Sequence, residues 1–225
     1  MTDFARLMSD YFVKYLAGQK GSGSNTMKTY RDTFVQLLEF MDEKKHIRAD
    51  CIEVDSFSYD IINEFLEYLE KEKRVSISTR NNRLAAIRSF FKYTGYHEPK
   101  YLNISTSIRE ISKKKTEGRQ MNYLSVNAME HFLNSFDKTD HKELRCFCIV
   151  LLLYESGARV TELCNVRRYD LHLEKPYTII LHGKGDKIRS VPLDGLVADV
   201  ISNYIQKYRV DDNDFLFFNT RRERL

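Results

Sequence analysis

Helix breakers are scarce along this chain, and that scarcity limits the folds open to it. Proline removes a backbone donor and clashes with the preceding turn, and glycine costs the most chain entropy on ordering. Three prolines and nine glycines occur in 225 residues, and the first proline is Pro99. With 42% hydrophobic and 30% charged residues, the chain has enough apolar material for a buried core and enough charge to coat helical surfaces. The expectation is a mainly α protein of one or two domains.

Apolar spacing predicts four helices in the N-terminal part. The first covers about Phe4 to Leu16 and stops at Gly18, after which Gly21-Ser22-Gly23-Ser24 reads as a flexible connector. The second runs from Asn25 to Lys45, with Tyr30, Thr33, Phe34, Leu37, Leu38 and Met41 on one face. The third covers Tyr59 to Lys73, with Ile62, Phe65, Leu66 and Leu69 as its stripe and Ser58 as N-cap. The fourth runs from Ser78 to Thr94, before Gly95. These helices make a domain of residues 1–97. Residues 98–122 lack a strong period and read as a linker.

A second domain covers residues 123–225. Ser125 to Phe136 and the apolar Lys142 to Glu155 read as helices, and Arg159 to Val166 as a short helix opening after Gly157. Tyr177 to Leu181 and Ile188 to Leu193 read as strands of a β-hairpin around Gly183-Lys184-Gly185-Asp186. Leu196 to Tyr208 is a helix, and Phe215 to Phe218 a short strand or buried segment.

Charge and cysteine narrow the function classes. The net charge of +4 is only mildly basic, and its excess sits in residues 97–125, which hold 6 Lys+Arg and 3 Asp+Glu. The run Lys113-Lys114-Lys115 could follow a phosphate backbone or stay hydrated. No apolar run approaches the roughly 20 residues of a membrane span, so no membrane partner is expected. Cys146-Phe147-Cys148, Cys51 and Cys164 do not form the paired spacing of a zinc site, and Cys146 and Cys148 read as buried reduced thiols. No carboxylate cluster suggests magnesium, and no metal or cofactor is expected.

Two segments carry chemistry. In Gly157-Ala158-Arg159-Val160-Thr161-Glu162-Leu163, an arginine follows a glycine at a predicted helix start, where anions are favoured. Its guanidinium can fork two phosphate oxygens. Glu162, three residues on, could hold it in place or form an ordinary surface pair with it. In Gly183-Lys184-Gly185-Asp186-Lys187-Ile188-Arg189-Ser190-Val191-Pro192-Leu193, a hairpin turn presents a lysine between glycines. That lysine could project into a groove, or it could simply be a solvated turn residue. The spacing is not that of a phosphate-binding Walker loop. On the fourth helix, Asn81, Ala85, Arg88, Ser89 and Lys92 form a polar stripe. It suits either solvent or a DNA groove approached closely at Ala85.

Taken together and in this order, the two segments resemble the tyrosine recombinase family of phage-integrase and Xer-type enzymes. The stretch Ser78-x-Arg80-Asn81-Asn82-Arg83-Leu84-Ala85-Ala86-Ile87-Arg88-Ser89-Phe90-Phe91-Lys92-Tyr93 is similar to the last helix of that family's N-terminal core-binding domain, and Asn25-Thr26-x-Lys28-x-Tyr30 to its second. The resemblance implies a four-helix SAM-like core-binding domain followed by the first part of an α+β catalytic domain with a β-hairpin. It implies Arg159 and Lys184 as catalytic residues, supported by Glu162. It implies Thr26, Lys28, Arg31, Asn81, Asn82, Arg88, Ser89 and Lys92 as DNA-binding residues. Arg189 and Pro192 match the hairpin pattern without a catalytic role.

The implied activity is site-specific cleavage and rejoining of double-stranded DNA through a phosphotyrosine link, by a homo-oligomer that forms a tetramer on DNA in the bacterial cytoplasm, associated with the nucleoid. The family's His-x-x-Arg box is missing: none of His46, His97, His131, His141, His172 or His182 begins one. The spacing of Tyr204 and Tyr208 indicates helix packing, not a nucleophile. The chain is therefore expected to be truncated before its C-terminal catalytic boxes and inactive alone. The rival readings are a non-catalytic DNA-binding module and a helical protein-interaction domain.

Overall fold

The periodic stretches near the N-terminus do form helices. The structure, a computed structural model, describes residues 1–116, 118, 122–185 and 187–225. It divides into two compact units, Met1–Gln120 and Met121–Leu225, each with its own apolar core.

In the first unit, α1 (Asp3–Asp10) continues as a π-helical stretch, Tyr11–Gln19. The expected connector is shorter than predicted, because Ser22 N–H caps Leu16 O at 2.9 Å and α2 (Ser24–Lys45) already begins at Ser24. Helix α3 (Tyr59–Lys71) opens where predicted, with the Ser58 hydroxyl accepting from Ile61 N–H at 3.2 Å. Helix α4 (Ile77–His97) runs through Gly95 and is central to the core. Its Phe90 ring meets Phe4, Tyr11 and Phe34 edge-on at 5.3–5.5 Å, so three helical segments converge on one side chain. Arg83 reaches across from α4 to α2, where Nη1 donates to Thr29 O at 3.1 Å and to the Thr33 hydroxyl at 3.3 Å.

The expectation that residues 98–122 form an aperiodic linker is corrected in its first half. Pro99–Tyr101 form a 3₁₀ turn that leads into α5 (Leu102–Glu110), which packs along α4. Tyr101, Ile108 and Ile111 are buried there. Ser105, 1% exposed, sits against Gly95, where a β-carbon would lie 2.5 Å from the serine hydroxyl. Beyond α5, Arg80 Nη1 donates to Ser112 O at 3.2 Å, and Asn81 bonds both the N–H and the carbonyl of Lys114. The N-terminal unit thus has a fifth helix and a docked tail. Linker residues 117 and 119–121 lie outside the described residues.

In the second unit, α6 (Val126–Asn134) is capped by Ser125, and α7 (His141–Ser156) by Asp140. Gly157 ends α7 at φ 58°, a left-handed cap that a side chain would strain. The short α8 (Val160–Asn165) follows. The sheet is antiparallel, in the order β1 (Leu171–His172), β2 (Thr178–His182), β3 (Ile188–Pro192). Strand β1 was not predicted, since two residues carry no period. Pro192 falls on the edge strand, where a missing N–H is tolerated. Helix α9 (Gly195–Tyr208) packs on α7, burying Val197, Ala198, Ile201 and Tyr204. Of the two readings for Phe215 to Phe218, the buried segment holds: Leu216 and Phe217 are buried, and Phe215 and Phe218 make isolated bridges to Arg167 and Arg224.

Two side-chain expectations separate. Cys148 is buried, and burial pushes its thiol up to about 12, but Cys146 is exposed, so the reading of both as buried thiols holds for one of them. Tyr204 is fully buried and stacks on Tyr208 at 4.5 Å, in line with helix packing.

Candidate active site

Three local devices set the position of Arg159. The left-handed cap at Gly157 turns the chain sharply off α7, and Gly157 N–H closes on Leu153 O at 3.1 Å. Arg159 then takes the N-cap position of α8 in extended conformation. Its backbone N–H donates to Glu162 Oε2 at 2.8 Å, the reciprocal bond of a capping box. The predicted helix is real but only six residues long, and Glu162 already occupies its first turn. A short helix adds little dipole, so the guanidinium itself is the main anion-attracting group.

Glu162 is the hub. Its side chain is 3% exposed, and its carboxylate accepts from Arg159 Nη1 at 2.7 Å and from Arg189 Nη1 and Nη2 at 3.1 and 2.8 Å. The Arg189 fork, the Arg159 backbone N–H and the Arg159 guanidinium hold the carboxyl down at about 2 against the opposing effect of burial. Arg159, by contrast, is 73% exposed at its side chain and opens to solvent.

The hairpin brings the second expected residue to the same place. Gly183 N–H bonds Lys187 O at 2.7 Å and closes the turn. A β-carbon on Gly183 would sit 3.1 Å from Glu162 Oε1, so the glycine allows the hairpin to lie against the carboxylate. Arg159, Gly183, Lys184, Lys187, Ile188 and Arg189 line one cleft of about 490 Å³. Arg159 and Lys184 are thus brought together, with Glu162 behind them. Asp186, part of the predicted turn, lies outside the described residues. A second pair braces the hairpin next to its turn: His182 Nε2 lies 3.1 Å from Oδ1 of buried Asp170, whose Oδ2 accepts from Arg167 N–H at 2.8 Å.

Arg189 and Lys187 were not expected in the site. Arg189 had a signal that the motif obscured. Strand alternation puts it on the face of Val191, opposite buried Leu181, and a charge on an inward face needs a partner.

The expected DNA-binding residues sit on two helices of the first unit, Thr26, Lys28 and Arg31 on α2 and Asn81, Asn82, Arg88, Ser89 and Lys92 on α4. On α4, Asn81 is tied to Lys114, Arg88 donates to Arg109 O, and the Ser89 hydroxyl accepts from Tyr11 at 2.8 Å. Three of the five residues of the polar stripe are therefore used within the unit, against the predicted open face: the tail after α5 takes Asn81, α5 takes Arg88 and the π-helical stretch takes Ser89. Asn82 and Lys92 remain exposed. On α2, Thr26 is half-buried, whereas Lys28 and Arg31 are exposed and line a groove with Met8, Phe12 and Leu38. Of the basic run, Lys114 pairs with Glu70 at 2.8 Å, a surface pair worth about 0–1 kcal/mol that a phosphate could displace.

Among the described residues, no group of His, Cys, Asp and Glu is arranged to hold a metal, and no helix is long and apolar enough to cross a membrane.

Comparison with known proteins covers both units. The model of the phage integrase family matches residues 122–225, and that of the phage integrase N-terminal SAM-like domain matches residues 10–99. Tyrosine recombinase XerD of Listeria innocua is 30% identical over 224 residues, covering 93% of this chain and 70% of the relative. The putative integrase/recombinase y4rC of Sinorhizobium fredii is 28% identical over 221 residues, covering 98% and 67%. Among solved structures, XerH recombinase bound to a palindromic difH substrate superposes with a TM-score of 0.69 at 22% identity, covering 96% of this chain. A lambda integrase dimer bound to a COC' core site superposes with a TM-score of 0.70 at 15% identity, covering 100%. The chain spans 63% of that XerH chain and 76% of that lambda integrase chain.

Proposed function

Because the chain belongs to the phage integrase family of tyrosine recombinases, we propose that it engages double-stranded DNA and contributes Arg159 and Lys184 to site-specific strand cleavage and rejoining. The observation that carries this reading is the cleft that Arg159 and Lys184 share, backed by a buried carboxylate. In the cleavage step, a tyrosine oxygen attacks the scissile phosphorus, the bond to the 5′ oxygen breaks, and a 3′-phosphotyrosine link forms. Arg159 stabilises charge on the non-bridging oxygens. Lys184 gives its proton to the departing 5′ oxygen. Rejoining runs the same step backwards, with a 5′ hydroxyl as nucleophile.

We propose that none of the chain's own tyrosines is the nucleophile. No histidine of the chain begins a His-x-x-Arg box. Tyr204 is fully buried, and burial raises its phenol well above the ordinary tyrosine range. The active unit is a homo-oligomer on DNA in the bacterial cytoplasm.

The test has two arms. Binding to a DNA duplex should weaken steeply with salt, log K falling by about 0.9 per neutralised phosphate for each tenfold rise. Replacing Lys28, Arg31 and Lys92 by alanine should flatten that slope. On a nicked duplex that traps covalent intermediates, residues 1–225 should give no adduct on a denaturing gel. A salt-independent affinity would sink DNA engagement, and an adduct would show that one of the chain's own tyrosines is the nucleophile.

A further inference from the structure

Arg189 has no part in the steps above, yet its guanidinium holds Glu162 with both prongs, Nη1 to Oε1 at 3.1 Å and Nη2 to Oε2 at 2.8 Å. Arg159 reaches the same carboxylate with one side-chain nitrogen, Nη1, at 2.7 Å, and with its backbone N–H at 2.8 Å. We propose that Arg189 is a positioning residue: by forking onto Glu162 it leaves Arg159 a single side-chain bond to the carboxylate and keeps its other donors available to a phosphate in the cleft. This rests on the reading that Arg159 meets the scissile phosphate.

The argument follows from how many bonds a carboxylate can accept. An ionised carboxylate has about four lone-pair sites. Glu162 fills them with two bonds from Arg189 and two from Arg159. Its side chain is 3% exposed, so water cannot replace a missing donor, and an uncompensated buried charge is costly. Without Arg189, two sites fall open, and the guanidinium already in contact is that of Arg159. It would close onto the carboxylate as a fork and withdraw from the cleft. Two guanidinium groups on one carboxylate also leave a net positive charge, and Arg159 is the more exposed of the two, at 73% against 40%.

The hairpin makes the arrangement possible. Strand β3 presents Arg189 inward, opposite Leu181, and Gly183 lies so close that an added β-carbon would be 3.1 Å from Glu162 Oε1 and 3.9 Å from Arg189 Nη1. The same turn carries Lys184. One carboxylate thereby sets both the reach of Arg159 and the seat of the lysine loop.

The experiment follows the Arg159 side-chain N–H resonance of the 225-residue chain by NMR during titration with inorganic phosphate. In the unmodified chain the resonance should shift saturably. In R189M the phosphate affinity should fall roughly tenfold, the loss of about one charge-assisted hydrogen bond. R189K should fall between the two, since one ammonium does not span both oxygens. In the double variant E162Q/R189M the neutral amide no longer draws Arg159 inward, and affinity should recover towards that of the unmodified chain. A purely structural role for Arg189 predicts no recovery. Backbone amide dispersion reports folding, and if R189M unfolds, R189K carries the comparison. Unchanged affinity in R189M or R189K, or a double variant no better than R189M, overturns the positioning role alone. No phosphate response in the unmodified chain overturns that role together with the reading of Arg159.

Discussion

At the scale of single residues, Glu162 concentrates the electrostatics of the second unit. Its carboxyl is held at about 2 in the folded chain, against an ordinary value near 4.5. A carboxyl depressed on folding stabilises fully above its unfolded value and loses that contribution as pH falls through the folded one. The second unit should therefore lose stability between pH of about 4.5 and about 2. Urea unfolding of E162Q over that window should show a shallower dependence than the unmodified chain, from a lower starting stability at pH 7. Parallel slopes would remove Glu162 as the cause. The first unit has a similar group in Asp3, which Lys100 and Tyr101 hold at about 2, so the difference between variants is the informative quantity. Arg159, Glu162 and Lys184 were legible in the sequence through the family resemblance, because each sits inside a short motif that the resemblance matches. Arg189 was legible only as a pattern match, because its partner lies 27 residues away.

At the scale of elements, the packing of α5 on α4 decides how the N-terminal unit is built. This helix was hidden in the sequence for a physical reason. Its nine residues, LNISTSIRE, are rich in Asn, Ser and Thr, which compete for backbone hydrogen bonds and favour turns. Isolated helices of this length are marginal, and tertiary contact stabilises them. The contact is close at Gly95, where a β-carbon would meet the Ser105 β-carbon at 2.6 Å. Gly95→Ala gains about 1 kcal/mol of helix propensity, but overpacking a fixed neighbour costs about 1–3 kcal/mol. The expected result is a net loss on the order of 1 kcal/mol, recovered by Ser105→Gly in the same chain. Calorimetric melting of the single and double variants checks this. Equal melting of G95A and its parent would show that the two helices separate without cost. The long helices α2, α3 and α4 were legible because their apolar stripes extend over three turns or more. Strand β1 was not, since two residues carry no period, and the helix read over Phe4 to Leu16 gave no sign that its second half is π-helical.

At the scale of the whole molecule, two cores mean two folding units, and the first should stand alone. Residues 1–116 contain every buried residue of the first core. Expressed by themselves, they should melt in one cooperative transition with helical circular dichroism. Ending the chain at residue 97 removes Tyr101, Ile108 and Ile111, all buried. At about 1.5–3 kcal/mol each, that is on the order of 5 kcal/mol, a large share of the roughly 5–15 kcal/mol that holds a domain together. The shorter piece should lack a cooperative transition, and a normal melt would show that α5 is dispensable. The sequence by itself determined the helical class, the hairpin and the family resemblance, because each is written in local motifs, and the resemblance in turn pointed to Arg159, Glu162 and Lys184. The tertiary structure alone decided that α5 and its tail take up part of the α4 polar stripe, that the Ser89 hydroxyl is held by Tyr11, and that Arg189 shares the carboxylate of Glu162. Those contacts join residues far apart in the chain, and only packing settles which distant groups meet.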